Sequence, residues 1–160
     1  MKNNISININ YIEEYKNIIE NTILQKGYQE IIKLFRYLKI YFEKEMPEFK
    51  FTSNIVENNM DYSYFQFTND KLRENKLKIV FVFIHKDFKF QIWLSGINRN
   101  IQEKYFNIYK NTKYNLSIDP NKTDYILYKD LNFNYNNLEQ SLICLKKEVY
   151  SFINDIINNE

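Results

Sequence analysis

The rarest residue types of this chain fall together in one segment, Trp93-Leu94-Ser95-Gly96-Ile97-Asn98-Arg99. It holds the only tryptophan, one of two glycines and one of three arginines among 160 residues. A glycine where a strand gives way to a helix is typical of a positive φ or of a close approach between backbones. The free N–H groups at the start of the new helix, which Ser95 or Asn98 could cap, favour an anion. The segment therefore predicts an anion- or nucleotide-type pocket, with Trp93 as a stacking surface.

A structural interpretation of the same residues stays open. Trp93 could cover a thin sheet face, and Gly96 could serve the turn alone. Arg99 in the first turn of a helix opposes the macrodipole, so it needs a carboxylate or a ligand nearby; Glu103 and Asp61 are the candidate carboxylates. The residues predicted to line a binding site are Trp93, Gly96, Arg99, Gln91, Asp61, Tyr62 and His85.

A second functional hypothesis is a small hydrolase that acts on a phosphorylated or nucleotide substrate. Asp61, His85 and Arg99 are the polar trio that such an enzyme would use. Since His85 is the only histidine, it could act as a lone general base, and a multi-histidine metal site is excluded. The single Cys144 excludes an intramolecular disulfide and a cysteine-cluster zinc site. We expect no metal and no cofactor, and whether the chain is an enzyme stays open.

The bulk composition narrows the class of partner. The chain lacks alanine and is rich in Asn, Ile, Lys, Phe and Tyr, a bias typical of an A/T-rich gene. Motifs built from these abundant residues are therefore weak evidence for a function. The net charge is +2 and the pI is about 8.4, below the strongly basic footprint of a dedicated nucleic-acid binder. No apolar run approaches the ~20 residues of a membrane span, and the first residues lack the pattern of a signal peptide. We expect a cytoplasmic protein without a strong nucleic-acid signal, and the partner is unknown.

The amino-terminal third predicts two helices. Apolar residues recur at helical spacing after Asn10, the predicted cap, and Gly27 is placed to end this first helix in a left-handed conformation. A second helix follows and must stop near Met46-Pro47, because proline disfavours the helical conformation of the residue before it. The length of the chain favours one domain over residues 1–160.

The middle of the chain predicts a sheet. The run from Leu77 to Ile84 is apolar at seven of eight positions, and the run from Phe88 to Ser95 alternates strictly. A two-residue loop at Lys86-Asp87 would pair residues whose numbers sum to 173. One face of this hairpin is then heavily apolar, and the other carries Trp93 and Gln91.

The predicted fold class is α+β: an N-terminal helical pair, a mostly antiparallel sheet of four to five strands, and two C-terminal helices packed on one face. The first of these helices is expected from Asn98 to Lys110, with Ile108 turned inward, and the last begins at a capping box that starts at Asn136. Apolar residues of the last helix step by four and three, which suits a helix lying on the sheet or on the first helix pair, or else a homodimer seam. The pattern covers fewer than three full heptads, which favours packing within the chain over the seam.

Four segments resemble a family of small, uncharacterised bacterial proteins known as a domain of unknown function. They are residues 11–16, 60–65, 77–85 and 92–96. The resemblance implies that most of the chain is a single domain. It implies no activity.

Overall fold

The computed structural model describes residues 6–52 and 54–158. The chain divides into two compact units, residues 1–37 and 38–160, so a single domain over residues 1–160 stays a prediction. The helices are α1 (Ile9–Asn21), α2 (Leu24–Glu45), α3 (Asp70–Glu74), α4 (Arg99–Ile108) and α5 (Leu138–Asn158). The strands are β1 (Lys50–Phe51), β2 (Val56–Asn58), β3 (Tyr62–Thr68), β4 (Leu77–Ile84), β5 (Lys89–Gly96), β6 (Asn115–Leu116) and β7 (Leu127–Leu131). Within the described residues, no helix has the length and apolar character needed to span a membrane.

The two predicted N-terminal helices are present, but their boundary lies earlier than expected. Asn8, not Asn10, caps α1, and its side chain accepts a hydrogen bond from the Asn10 amide at 3.1 Å. The break falls at Thr22, whose backbone is extended. Gly27 consequently lies inside α2 and has no positive φ, so the prediction that it ends the first helix is wrong.

One antiparallel sheet lies within residues 38–160. Its strand order is β1-β3-β4-β5-β7-β6, and β2 also pairs with β3. The described residues thus give seven strands instead of the predicted four to five. Strands β1, β2 and β6 have only two or three residues each, too few to produce a periodic pattern in the sequence.

The central hairpin has the predicted register. Val80 lies opposite Trp93 and Phe83 opposite Phe90, and all eight pairs of β4 and β5 sum to 173. The connection between the two strands has four residues, His85 to Phe88, instead of the expected two. Phe88 adopts a left-handed conformation, with a φ of 50°. The faces are therefore those that the alternation predicted.

The apolar face of the sheet forms the main core. Phe65, Phe81, Phe83, Phe90 and Ile92 are each at most 1% exposed. The end of α2 adds Phe42, whose ring centroid lies 5.2 Å from that of Phe81. This helical segment was not expected on the sheet.

Helix α5 lies against the same face, as its apolar spacing predicted. Lys129 on β7 forms an ion pair with Glu148 on α5 at 3.0 Å. The stripe residues of α5 from the second turn onward are all buried: Leu142, Leu145, Val149, Phe152 and Ile156. The stripe is used within the chain, so these side chains are not exposed for the alternative, a homodimer seam.

Helix α4 departs from the predicted layout. Tyr105 and Tyr109 are buried as expected, but Ile108 is exposed and Gln102 is buried. The Tyr109 hydroxyl donates to the carbonyl of Ile156, near the end of α5, at 3.2 Å. Helix α4 is thus fixed at one end of the sheet, where β5 terminates.

Candidate binding site

A cavity of about 460 Å³ opens on the second face of the sheet, where β5 meets α4. We call it the junction cavity. Its walls come from β3, β4, β5, the start of α4 and the loop before β7. The lining residues are Tyr62, Tyr64, Gln66, Lys78, Val80, Trp93, Ser95, Gly96, Ile97, Asn98, Arg99, Gln102 and Asp124. Four of the seven predicted site residues are therefore brought together here: Tyr62, Trp93, Gly96 and Arg99.

Gly96 allows the start of α4 to approach the sheet closely. A Cβ at this position would lie 2.8 Å from the backbone nitrogen of Gln102 and 3.0 Å from the side chain of Ile101. The Gly96 amide donates to Oε1 of Gln102 at 2.9 Å, and Nε2 of Gln102 donates to the Thr123 carbonyl at 2.7 Å. Gly96 has no positive φ. Of the two roles expected for this glycine, close approach is the one that the structure has.

The start of α4 is capped by Asn98, one of the two expected residues. Its side chain accepts a hydrogen bond from the Ile101 amide at 3.0 Å. Ser95, the other candidate, instead donates to the Asp124 carbonyl at 2.6 Å. Ser95 therefore ties the loop before β7 to the end of β5.

Arg99 is paired within the chain, with a carboxylate that the sequence did not indicate. Its guanidinium lies 3.3 Å from Oδ1 of Asp124 and also donates to the Thr123 carbonyl. Oδ2 of Asp124 accepts from the Tyr62 hydroxyl at 2.7 Å. Burial, together with the Asp124 carboxylate, raises the pKa of Tyr62 far above its ordinary value. Asp124 thus joins the start of α4 to β3 across the wall of the cavity.

The rings at the junction cavity are more covered than the sequence suggested. Trp93 is only 5% exposed, with its ring centroid 5.3 Å from that of Tyr62 and 4.9 Å from that of Tyr125. Its indole N–H donates to Oε1 of Gln91 at 2.7 Å, which places Gln91 behind the cavity wall. The half-buried rings of Tyr62 and Tyr64 are therefore the aromatic surfaces more open to a ligand.

Lys78 is a site residue that the sequence reasoning missed. It is half-buried in the cavity wall and lies opposite Ser95 in the sheet register. Burial lowers the pKa of its ammonium, and the Asp124 carboxylate opposes this effect. No hydrogen bond or ion pair is found for its ammonium within the described residues. A signal was present, because Lys78 is the one polar residue in the apolar run of β4.

Asp61 and His85 lie elsewhere, at the far end of the hairpin. The His85 amide donates to the Asp61 carbonyl at 3.1 Å, and His85 Nε2 lies 2.9 Å from the hydroxyl of buried Ser63. Burial lowers the pKa of His85. Seven residues of β5 separate this end from Gly96, roughly 20 Å along the strand. The structure thus brings Asp61 near His85 but does not bring either to Arg99.

No cluster of three or more His, Cys, Asp or Glu side chains suited to a metal ion occurs in residues 6–52 and 54–158. Cys144 is only half-buried and receives a hydrogen bond from Gln140 at 3.4 Å. The polar groups of the junction cavity can therefore bind and orient a molecule through hydrogen bonds, ring contacts and the charge of Lys78.

A family model described as a domain of unknown function (DUF7000) matches residues 8–160. No curated protein and no solved structure matches the chain. The match confirms the resemblance carried by the four sequence segments. The bacterial origin and the cytoplasmic location stay predictions.

Proposed function

The chain belongs to the DUF7000 family, a domain of unknown function, and we propose that it is a non-catalytic binding module that takes a small ligand in the junction cavity. The observation that carries the proposal is the cavity itself, about 460 Å³, at the segment where the rare residues converge. Ligand pockets in proteins typically measure ~300–1,000 Å³ and combine apolar walls with a few polar groups. Tyr62, Tyr64 and Val80 supply such walls, and Lys78 supplies a charge.

The hydrogen bonding within the cavity supports binding over catalysis. Arg99 is engaged by Asp124, and both ends of the Gln102 amide are engaged by backbone groups. These side chains hold the wall in place, a role typical of a pre-formed site. The polar pair that resembles a nucleophile and its base, Ser63 and His85, lies at the other end of the hairpin, and Ser63 is fully buried.

The hydrolase alternative has less support. It needs Asp61, His85 and Arg99 around one substrate, whereas only Arg99 lines the junction cavity. A general base must come within hydrogen-bond reach of the proton that it abstracts, about 2.6–3.2 Å or one water further. His85 contacts Ser63, which lies opposite Phe83 on the apolar face of the sheet, whereas the junction cavity opens on the second face.

Tryptophan fluorescence tests the proposal, since Trp93 is the sole tryptophan and lines the cavity. We expect one class among nucleosides, nucleotides, sugar phosphates, aromatic carboxylates and amino acids to change its emission and to raise the Tm. Gln66→Tyr replaces the amide side chain with a bulkier aromatic ring in the cavity and should abolish both effects. Gln29→Tyr, the same change at an exposed position of α2, is the matched control. A panel in which no class changes emission or Tm would defeat the proposal.

A further inference from the structure

A second cavity, of about 260 Å³, adjoins the junction cavity. We call it the basic cavity. The two share three lining residues, Gln66, Lys78 and Ile97. A single elongated molecule could therefore pass from one to the other along the same face of the sheet.

Four of the ten described residues that line the basic cavity are cationic. Its lining includes Lys50, Arg73, Lys76 and Lys78, and no acidic residue is among the described residues that line it. Arg73 is paired with Asp70 at 2.8 Å. The three lysine ammonium groups have no carboxylate within ion-pair distance in the described part of the chain. In a chain of net charge +2, three lysines without a carboxylate partner around one small cavity favour an anion with several charges.

The sheet register places these charges in a row. Lys50 lies opposite Thr68, and Phe67 lies opposite Ile79, so that Thr68 is flanked by Lys50 and Lys78. Strands are about 4.8 Å apart, which separates the two lysine Cα atoms by about 10 Å. Two flexible ammonium groups at that spacing can reach the same phosphate chain from both sides.

The aromatic and basic ends are separated by a length that fits a nucleotide. Tyr64 and Thr68 point to the same face and lie four residues apart on β3, roughly 13 Å. A base against the half-buried rings of Tyr62 and Tyr64 would leave a ribose near Gln66 and a phosphate chain at Lys78. Aromatic side chains suit the faces of bases, and lysines suit phosphate oxygens.

We propose that the ligand is a nucleoside polyphosphate, with its base in the junction cavity and its phosphates in the basic cavity between Lys78 and Lys50. The proposal rests on the proposed function and specifies its ligand class. A single-stranded nucleic acid uses the same two kinds of contact. The smaller ligand is favoured because Asp124 and the start of α4 wall the aromatic end, and the overall charge of the chain is low.

The test measures Trp93 emission and heat of binding with five probes, without magnesium and at low salt. The probes are adenosine, AMP, ATP, inorganic tripolyphosphate and a ten-residue oligothymidylate. We expect affinity to rise from adenosine through AMP to ATP, and ATP to bind more tightly than tripolyphosphate. Lys50→Met should weaken ATP binding about tenfold and leave adenosine binding unchanged, and Lys78→Met, which changes both cavities, should weaken ATP binding by at least as much. Lys147→Met, which removes the same charge from an exposed position of α5, should leave ATP binding unchanged.

The other outcomes separate this proposal from the one on which it rests. If adenosine and ATP bind with equal affinity, and neither lysine variant changes the affinity for ATP, the polyphosphate proposal is overturned. The proposal that the junction cavity binds a small ligand would still hold. If tripolyphosphate binds as tightly as ATP, the base makes no contribution to affinity and the proposal is overturned. If the oligothymidylate binds more tightly than ATP, the ligand class is a single-stranded nucleic acid instead. If no probe binds but another class in the wider panel does, the polyphosphate proposal alone fails. If nothing binds at all, both fail.

Discussion

The indole N–H of Trp93 donates to Oε1 of Gln91, two residues earlier on the same strand, at 2.7 Å. Nε2 of Gln91 donates in turn to Oδ1 of Asp130 on β7 at 2.7 Å, and Lys89 donates to the other oxygen of that carboxylate at 3.0 Å. Alternate residues of β5 are thus linked to the neighbouring strand through one carboxylate. This hydrogen-bonded chain fixes the tryptophan ring that borders the junction cavity.

Replacing Gln91 with methionine should destabilise the protein by about 1–3 kcal/mol, because the buried indole N–H would lose its acceptor while the side chain keeps its length. The Trp93 emission maximum should change as well. Urea unfolding measures the free energy, and Gln29→Met, at an exposed position of α2, is the control. Equal urea midpoints for Gln91→Met and the control would contradict the structural role given to this bond.

The two glycines should respond to alanine with opposite signs. Gly96→Ala places a Cβ 2.8 Å from the backbone of Gln102, so it should destabilise by about 1–3 kcal/mol. A Cβ added at Gly27 would meet nothing within 4 Å, and the residue lies inside α2, so Gly27→Ala should stabilise by about 0.5–1 kcal/mol. Urea midpoints decide both. A neutral Gly96→Ala would mean that the close approach of α4 is not required.

The parts of the fold that the sequence predicted are those governed by local patterns. The register of β4 with β5 follows from the alternation of apolar and polar residues and from a turn centred on Lys86 and Asp87, which pairs residues whose numbers sum to 173. The pairing of β1 with β3 could not be predicted in the same way, because two residues carry no period. Asn98 caps α4 as expected, but two other caps are shifted by one or two residues: Asn8 caps α1 in place of Asn10, and the Asn137 side chain, not that of Asn136, accepts the Gln140 amide. In an Asn-rich chain, several neighbouring residues are equally good caps.

Four residues of the predicted set line the junction cavity: Trp93, Gly96 and Arg99, to which their rarity in this composition pointed, and Tyr62, which is a common residue type. Whether the cavity is a binding site stays a prediction. Asp124 is a common residue type in a polar loop, and its contact with Arg99 spans 25 positions, so only tertiary structure reveals it. The contact between the rings of Trp93 and Tyr125 could not be predicted for the same reason, because it depends on the tertiary position of a loop that is distant in sequence.

His85 should make stability depend on pH near neutrality. Burial lowers its pKa in the folded chain below the ordinary value of 6.5, and the Glu57 carboxylate opposes this only in part. As the pH falls from 6.5 towards the lowered pKa, the unfolded chain binds a proton that the folded chain does not, so the free energy of unfolding decreases. Above 6.5 the effect is absent, and below the lowered pKa the loss is complete.

His85→Gln isolates this effect, because glutamine does not titrate and can still form a hydrogen bond with Ser63. Urea unfolding of both proteins between about pH 5 and 8 gives the comparison. The wild type should lose stability relative to the variant as the pH falls through the window below 6.5. Curves that stay parallel over the whole range would show that the burial of His85 does not control its protonation.

Asp124→Asn should strengthen the binding of ATP while changing stability little. The ion pair with Arg99 is about half exposed on both sides, and such pairs contribute about 0–1 kcal/mol. This carboxylate is the one acidic group that acts on Lys78 and that lines the junction cavity in the described residues, so without it a polyanion in the two cavities should bind a few times more tightly at low salt. The gain should shrink at high salt, because exposed charges are screened.

Asp87→Asn is the matched control for this prediction, since Asp87 is exposed at the turn between β4 and β5 and lines neither described cavity. It should leave the affinity for ATP unchanged. Titrations followed by Trp93 emission at low and high salt compare the two variants with the wild type. Weaker binding in Asp124→Asn would mean that the carboxylate accepts a hydrogen bond from the ligand, and the anionic end of the ligand would then have to lie away from Asp124.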